Sequence, residues 1–116
     1  MKPAGKNPPL SPATLHILLA LAAEDRHGYG IIQEIHRQSN GHYKLGPGTL
    51  YDNLKKLMDQ NVVIDAPRNK HNAEEERRLY RLTPAGRAIL SLEIDRLQGV
   101  VRSARLSLRE RKPKNA

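Results

Sequence analysis

The residues with chemistry to offer gather in one short stretch, LGPGTLYDNLKKLMDQ, at positions 45–60. Leu50, Leu54, Leu57 and Met58 recur there at i, i+4, i+7 and i+8, the spacing of one apolar helix face. Burying that face turns Tyr51 and Lys55, one turn apart, outward, with Thr49, Asn53 and Lys56 on the flanks. Their shared capability is hydrogen bonding rather than bond breaking. Asn can bond an adenine edge with both arms, Thr can bond a base or touch a thymine methyl, and Lys can reach guanine or a phosphate. Gly46 and Gly48 carry no side chain where the helix N-terminus could approach a phosphate. The bland alternative is a solvated helix face, on which Lys, Asn and Asp are ordinary, although a Tyr beside two lysines is less so. Asp52 and Asp59 oppose pressing the whole face on a polyanion, and Asp52 is spaced to pair with Lys56 at i, i+4.

Catalysis finds little support elsewhere in the chain. Cysteine is absent, which excludes disulfides, thiolate zinc sites and thiol nucleophiles. The five histidines, His16, His27, His36, His42 and His71, show no metal-ligand spacing. His36 and His42 could meet across a turn, but one pair does not make a metal site. Ser11 and Ser39 lack the strand–turn–helix context of a nucleophile and read as a cap and a loop residue. His27 precedes a helix, where capping or packing outweighs pH sensing. No catalytic residue, metal or tightly bound cofactor is therefore expected. The charge balance points to binding instead: 20 Lys plus Arg against 12 Asp plus Glu leave +8. That excess suits nucleic acid first and an anionic membrane surface second. No apolar run reaches spanning length and the opening MKPAGKNPPL lacks a signal-peptide core, so a cytoplasmic protein is expected.

These residues need a scaffold, and 116 residues allow one small core with perhaps an appended helix. Ser11-Pro12 is a cap followed by a helix-starting proline. The helix behind it puts Leu15, Leu18, Leu19 and Ala22 on one face and Ile17 and Leu21 largely on another. Apolar most of the way round, it predicts burial on two sides, the second against another subunit. RHGYG reads as a break, and YGIIQEIHRQ as a second helix with Ile31, Ile32 and Ile35 inward and Gly41 at its stop. Pro47 opens the third helix. VVIDAP and RLYRLT then read as two short strands, the latter with Tyr80 and Leu82 on one face, joined by the polar loop RNKHNAEEER. Thr83-Pro84 repeats the cap signal before a long helix to about residue 108. Leu90, Ile94, Leu97, Val101, Ala104 and Leu108 recur along it at 4, 3, 4, 3, 4, a heptad seam that needs a facing helix. About 25 residues make a rod of ~37 Å, longer than so small a core, which favours dimerisation over packing on its own domain. Gly99 weakens that helix slightly.

Three helices followed by a hairpin is the order of a winged helix-turn-helix, in which the third helix enters the major groove and the wing follows the backbone. The fold class expected is thus mainly α: a winged helix-turn-helix with a two-stranded wing and a C-terminal dimerisation helix. Residues 1–9 form a flexible basic tail, 10–83 the DNA-binding domain, 84–108 the dimerisation helix and 109–116 a disordered basic tail.

LSPATLHILLAL, HGYGIIQEI, GPGTLYDNLKKL and ERRLYRLTPAGRAIL, in this order, resemble the PadR family of bacterial winged-helix transcriptional repressors over residues 10 to about 105. Each of HGY, GTLY and YRLTPAG is weak alone; together at this spacing they are strong. The resemblance implies a homodimer built from the first and last helices, with Leu15 and Leu18 joining the seam, and a single short final helix as in the family's smaller subclass. It also implies double-stranded DNA as partner, bound at an inverted repeat. By position, Thr49 and Tyr51 would be recognition-helix contacts with Lys55 and Lys56 nearby, beside the Gly48 and Asn53 that the helix phase already puts on this surface. Tyr29 would offer its hydroxyl to a phosphate, and Arg68, Lys70 and His71 would be wing contacts. Glu74, Glu75 and Glu76 depart from that pattern, since phosphates repel them; either that half of the wing faces away or the wing contributes little. Family members usually release DNA when a signal alters the dimer, so a small-molecule effector is a further partner that the sequence leaves unidentified. With no Trp and no Phe, an aromatic-lined pocket would be hard to build. The competing reading is a winged helix that binds protein or RNA. Thr49 and Asn53 beside Tyr51 favour DNA, and the coiled-coil register of the last helix disfavours membrane binding.

Overall fold

A computed structural model describes residues 9–66 and 78–110. Helix α1 (Pro12–Leu21) begins as expected: Ser11 Oγ accepts from the Thr14 amide at 3.1 Å, with Pro12 at the first helical position. The remaining elements are β1 (Arg26–His27), α2 (Gly28–Gln38), α3 (Pro47–Asp59), β2 (Val63–Asp65), β3 (Leu79–Leu82) and α4 (Pro84–Arg109). Past the end of α2 the chain turns at Asn40, whose φ of 53° is left-handed, and the Gly41 amide donates back to the His36 carbonyl at 2.8 Å. Helix α3 stops in the same way: Asn61 has φ 61° and the Val62 amide donates to the Leu57 carbonyl at 2.8 Å. Both closures satisfy carbonyls that a helix end otherwise leaves open.

The core lies around α1. Ile17, Leu18, Ala20 and Leu21 are 0–1% exposed because α2, α3, α4 and β3 of the same chain all pack against this helix. This corrects the expectation that the second apolar side of α1 meets another subunit. Leu18 is covered by its own chain, and so is Leu90, at 5% exposure. Both side chains are spent on the chain's own core, so they offer little surface to a second subunit. Leu15, Leu19 and Ala22 are only partly buried against this core.

The sheet is antiparallel with the order β1-β3-β2, so the expected two-stranded wing gains a third strand. Strand β1 comes from the RHGYG stretch read as a break; Arg26 pairs with Tyr80 and His27 with Leu79. On the other side Val63 pairs with Leu82 and Asp65 with Tyr80. Tyr80 and Leu82 share the buried face, as their alternation predicts. The wing tip, with Arg68, Lys70, His71 and the Glu74–Glu76 run, lies outside the described residues, as do most of both tails.

Helix α4 is fastened to this sheet at its first turn. Thr83 Oγ1 accepts from the Gly86 amide at 2.9 Å and lies 2.8 Å from the Asn61 carbonyl and 3.1 Å from that of Val62. A Cβ on Gly86 would strike the Val62 carbonyl and Leu82, so glycine is required for this approach. Further along, the buried Glu93 accepts from Arg96 and from the Leu10 amide, tying the start of α1 to α4.

A second buried carboxylate, Glu34 of α2, accepts from Arg37 and Gln38 and faces Arg26 of β1 at 3.7 Å. The Arg37 hydrogen bonds, aided by the Arg26 charge, outweigh desolvation and hold its pKa at about 2, below the ordinary 4.5. A depressed carboxylate pKa contributes stability that is complete above the unfolded value and is lost as pH falls through the folded one. Glu34→Gln is therefore expected to cost about 2 kcal/mol at pH 7. It should also flatten the loss of stability between pH 4.5 and 2, as read from urea melts across that range.

Candidate nucleic-acid interface

The Leu50, Leu54 and Leu57 side chains of α3, 0–5% exposed, fix the phase of the helix against the core. Gly46 caps it in an extended conformation and Pro47 starts it; a Cβ at Gly46 or Gly48 would meet nothing within 4 Å. The exposed surface therefore carries Gly48, Thr49, Tyr51, Asp52, Lys55, Lys56 and Asp59.

Tyr51 lies on the flank that faces α2 and the sheet, 49% exposed. Its ring crosses Gly28, where an added Cβ would collide with the phenol. Gly28 is thus the residue that lets Tyr51 sit at the start of α2. The two join His27, Tyr29, Arg78 and Tyr80 around a groove of about 430 Å³. Tyr29, in the first turn of α2, is 63% exposed. His27 occupies the N-cap position of α2 without capping it; its Nδ1 donates instead to the Arg78 carbonyl at 3.3 Å. The first-turn amides of α2 therefore receive no side-chain cap from His27, and a helix N-terminus in that state favours an anion. Arg78 stands at the root of the wing, paired with Asp65 at 3.0 Å. Beside it the buried Tyr80 hydroxyl has its pKa raised by burial above the ordinary value of 10.0. Tyr80 is consequently a neutral donor at physiological pH.

Asn53 departs from the expectation. Its Nδ2 donates to the Thr49 carbonyl at 2.8 Å and its Oδ1 accepts from Thr14 of α1 at 3.4 Å. With Lys56 it lines a second cavity, of about 480 Å³, between α1, α3 and α4. The reason is helix phase: Asn53, Lys56 and Gln60 share the flank toward α1, whereas Tyr51, Lys55 and Met58 share the flank toward the wing. Asn53 holds α1 to α3 and is not aimed away from the protein. Lys56 is exposed at the mouth of that cavity, and Thr49, Tyr51 and Lys55 remain on the open surface.

Sequence reasoning missed Gly28, Arg78 and Tyr80 as parts of this surface. The HGY and RLYRL stretches held the signal, yet only the pairing of β1 with β3 brings them together.

The seam residues of α4 divide at Leu90. Ile94, Val101 and Leu108 are 38%, 49% and 80% exposed, and Ala104 is exposed as well. Ile94, Leu97 and Val101 line an open apolar groove with Gln98, Arg102 and Arg105. Among the described residues, no helix is long and apolar enough to cross a membrane.

Comparison with known proteins gives a consistent picture. Residues 17–92 match the model of the transcriptional regulator PadR-like family. The transcriptional regulator Rv3488 of Mycobacterium tuberculosis is 36% identical over 88 residues, which cover 76% of this chain and 78% of that protein. The fold is similar to a PadR family transcription regulator from Clostridium difficile, with a TM-score of 0.72 and 21% identity over 84% of this chain and 99% of that one. It is also similar to Bacillus subtilis PadR, solved in complex with operator DNA, with a TM-score of 0.61 and 23% identity over 72% of this chain and 46% of that one.

Proposed function

The chain belongs to the PadR-like family, one of transcriptional regulators and not of enzymes, and from that premise we propose that it is a cytoplasmic repressor that binds an inverted-repeat operator as a homodimer. The observation that carries this reading is the seating of Tyr51 across Gly28, which joins the outer face of α3 to the uncapped start of α2 and the root of the wing. A duplex whose major groove receives the N-terminal half of α3 would bring a phosphate toward Tyr29 and the α2 amides. Gly48, Thr49, Tyr51 and Lys55 face the bases in that pose, Lys56 reaches the backbone, and Arg68, Lys70 and His71 extend the contact along the wing. A regulator of similar fold has been solved in complex with operator DNA, which supports duplex DNA as the partner.

Ile94, Leu97, Val101, Ala104 and Leu108, with Leu15, form the dimer interface in this reading. Two α3 helices related by a two-fold axis contact half-sites about 10 bp apart, or a multiple of that. Lys and Arg supply the salt-dependent part of the affinity and the α3 surface the choice of sequence. A small-molecule effector would act by changing the angle between the subunits.

Fluorescence anisotropy tests this with duplex DNA from upstream of the protein's own gene and from candidate neighbouring promoters, against shuffled duplexes, across a salt series. Preference for a native duplex that survives moderate salt is the expected result, with a slope that counts the phosphates engaged. Equal binding to every duplex, abolished by salt, would replace operator recognition with a protein- or RNA-binding role.

A further inference from the structure

Asp52 occupies an odd place for a protein of this charge. It is exposed on the outward side of α3, opposite the buried Leu50, Leu54 and Leu57, and within two turns of the N-terminus. Gly48, one turn earlier on the same side, leaves the approach open. The expected pair with Lys56 is not formed: among the described residues Asp52 makes no ion pair and no side-chain hydrogen bond. Lys56 instead lies at the cavity toward α1.

We propose that Asp52 is a specificity-determining residue that accepts a hydrogen bond from the N4 amino group of a cytosine in each half-site, an inference that rests on the operator-binding reading. A carboxylate on the face that meets a polyanion weakens binding everywhere unless it finds a donor. The floor of the major groove offers few. Guanine shows two acceptors there and thymine one, whereas cytosine shows the N4 donor and carries no acceptor of its own on that edge. Adenine pairs its N6 donor with the N7 acceptor, which suits Asn and not Asp. Asp59, a full two turns further on at the last residue of α3, lies by Lys55, Met58 and Arg78 beneath the wing and has no such aim. The acid at position 52 therefore trades general affinity for rejection of every base but one.

The test is a selection from a random duplex library by the full-length protein and by Asp52→Ala and Asp52→Asn, followed by competition binding on the selected duplex with each base pair in turn at every position. Wild type is expected to select a half-site with one C·G pair whose replacement weakens binding about tenfold. Asp52→Ala should lose the preference at that position alone while binding unrelated duplexes more tightly. Asp52→Asn should move the preference to A·T there, a change that a merely structural role would not produce. Melting of both variants within a few degrees of wild type keeps the comparison valid, because among the described residues the exposed side chain makes no ion pair or hydrogen bond. Variants that select the same half-site with the same preference as wild type would overturn the assignment and leave operator binding standing. A wild-type protein that selects no half-site would overturn both.

Discussion

Leu97→Glu is expected to sediment as a monomer and to bind operator about 10²-fold or more weakly than wild type, the loss that follows when two linked contacts become one. Leu97 is half-buried on α4, beside Ile94 and Val101 in the apolar groove that continues to the exposed Ala104 and Leu108. It lies past Leu90 and Glu93, the last residues of α4 buried in the chain's own core, so the substitution leaves the domain's packing intact. Near a two-fold axis the two new carboxylates would face each other in a desolvated seam, and an unpaired buried charge costs several kcal/mol. Sedimentation velocity with and without DNA reads the outcome. A Leu97→Glu protein that remains dimeric at micromolar concentration would place the subunit contact elsewhere on the surface.

Tyr51→Ala has the second largest expected effect, a drop in operator affinity of about tenfold or more with the dimer retained. The ring is half-exposed, lying across Gly28, so melting should fall by only a few degrees. Tyr51→Phe separates the hydroxyl, which lies against Gly28, from the bulk of the ring. If the hydroxyl contributes a phosphate or base contact, Phe recovers stability in full and affinity in part. A Tyr51→Ala protein that melts like a molten state would mean that the ring is a core element and not a contact.

The phase of α3 was legible because three leucines at helical spacing admit one orientation, and the cap-then-Pro signals at Ser11-Pro12 and Thr83-Pro84 placed two helix starts to the residue. The Tyr80 and Leu82 alternation likewise survived folding. Strand β1 was not legible, since two residues carry no period and Arg26-His27 owes its extended pairing to β3 alone. Asn53 illustrates a second limit. Periodicity separates inside from outside on a helix, but it does not say which neighbour lies along a flank, and here that neighbour is Thr14. Leu18 and Leu90 illustrate a third, because an apolar stripe looks the same whether its own chain or another covers it. The Asn40 and Asn61 turns were partly hidden as well, since Asn spends most of its occurrences elsewhere and only Gly41 advertised a stop.

The bolted start of α4 has a mechanical meaning. Thr83 and Gly86 clamp it against Val62 and the end of β3, so the helix and the wing root turn as one body. Its 26 residues make a lever of about 39 Å at 1.5 Å per residue. A tilt of about 5° at that fulcrum sweeps the far end through about 3.4 Å, the rise of one base step. In the proposed dimer the lever also runs in reverse: a slight change in how two such rods cross would carry each α3 out of register with its half-site by one step. Tuning through the proposed dimer would then need no large rearrangement, only a small rotation at the crossing.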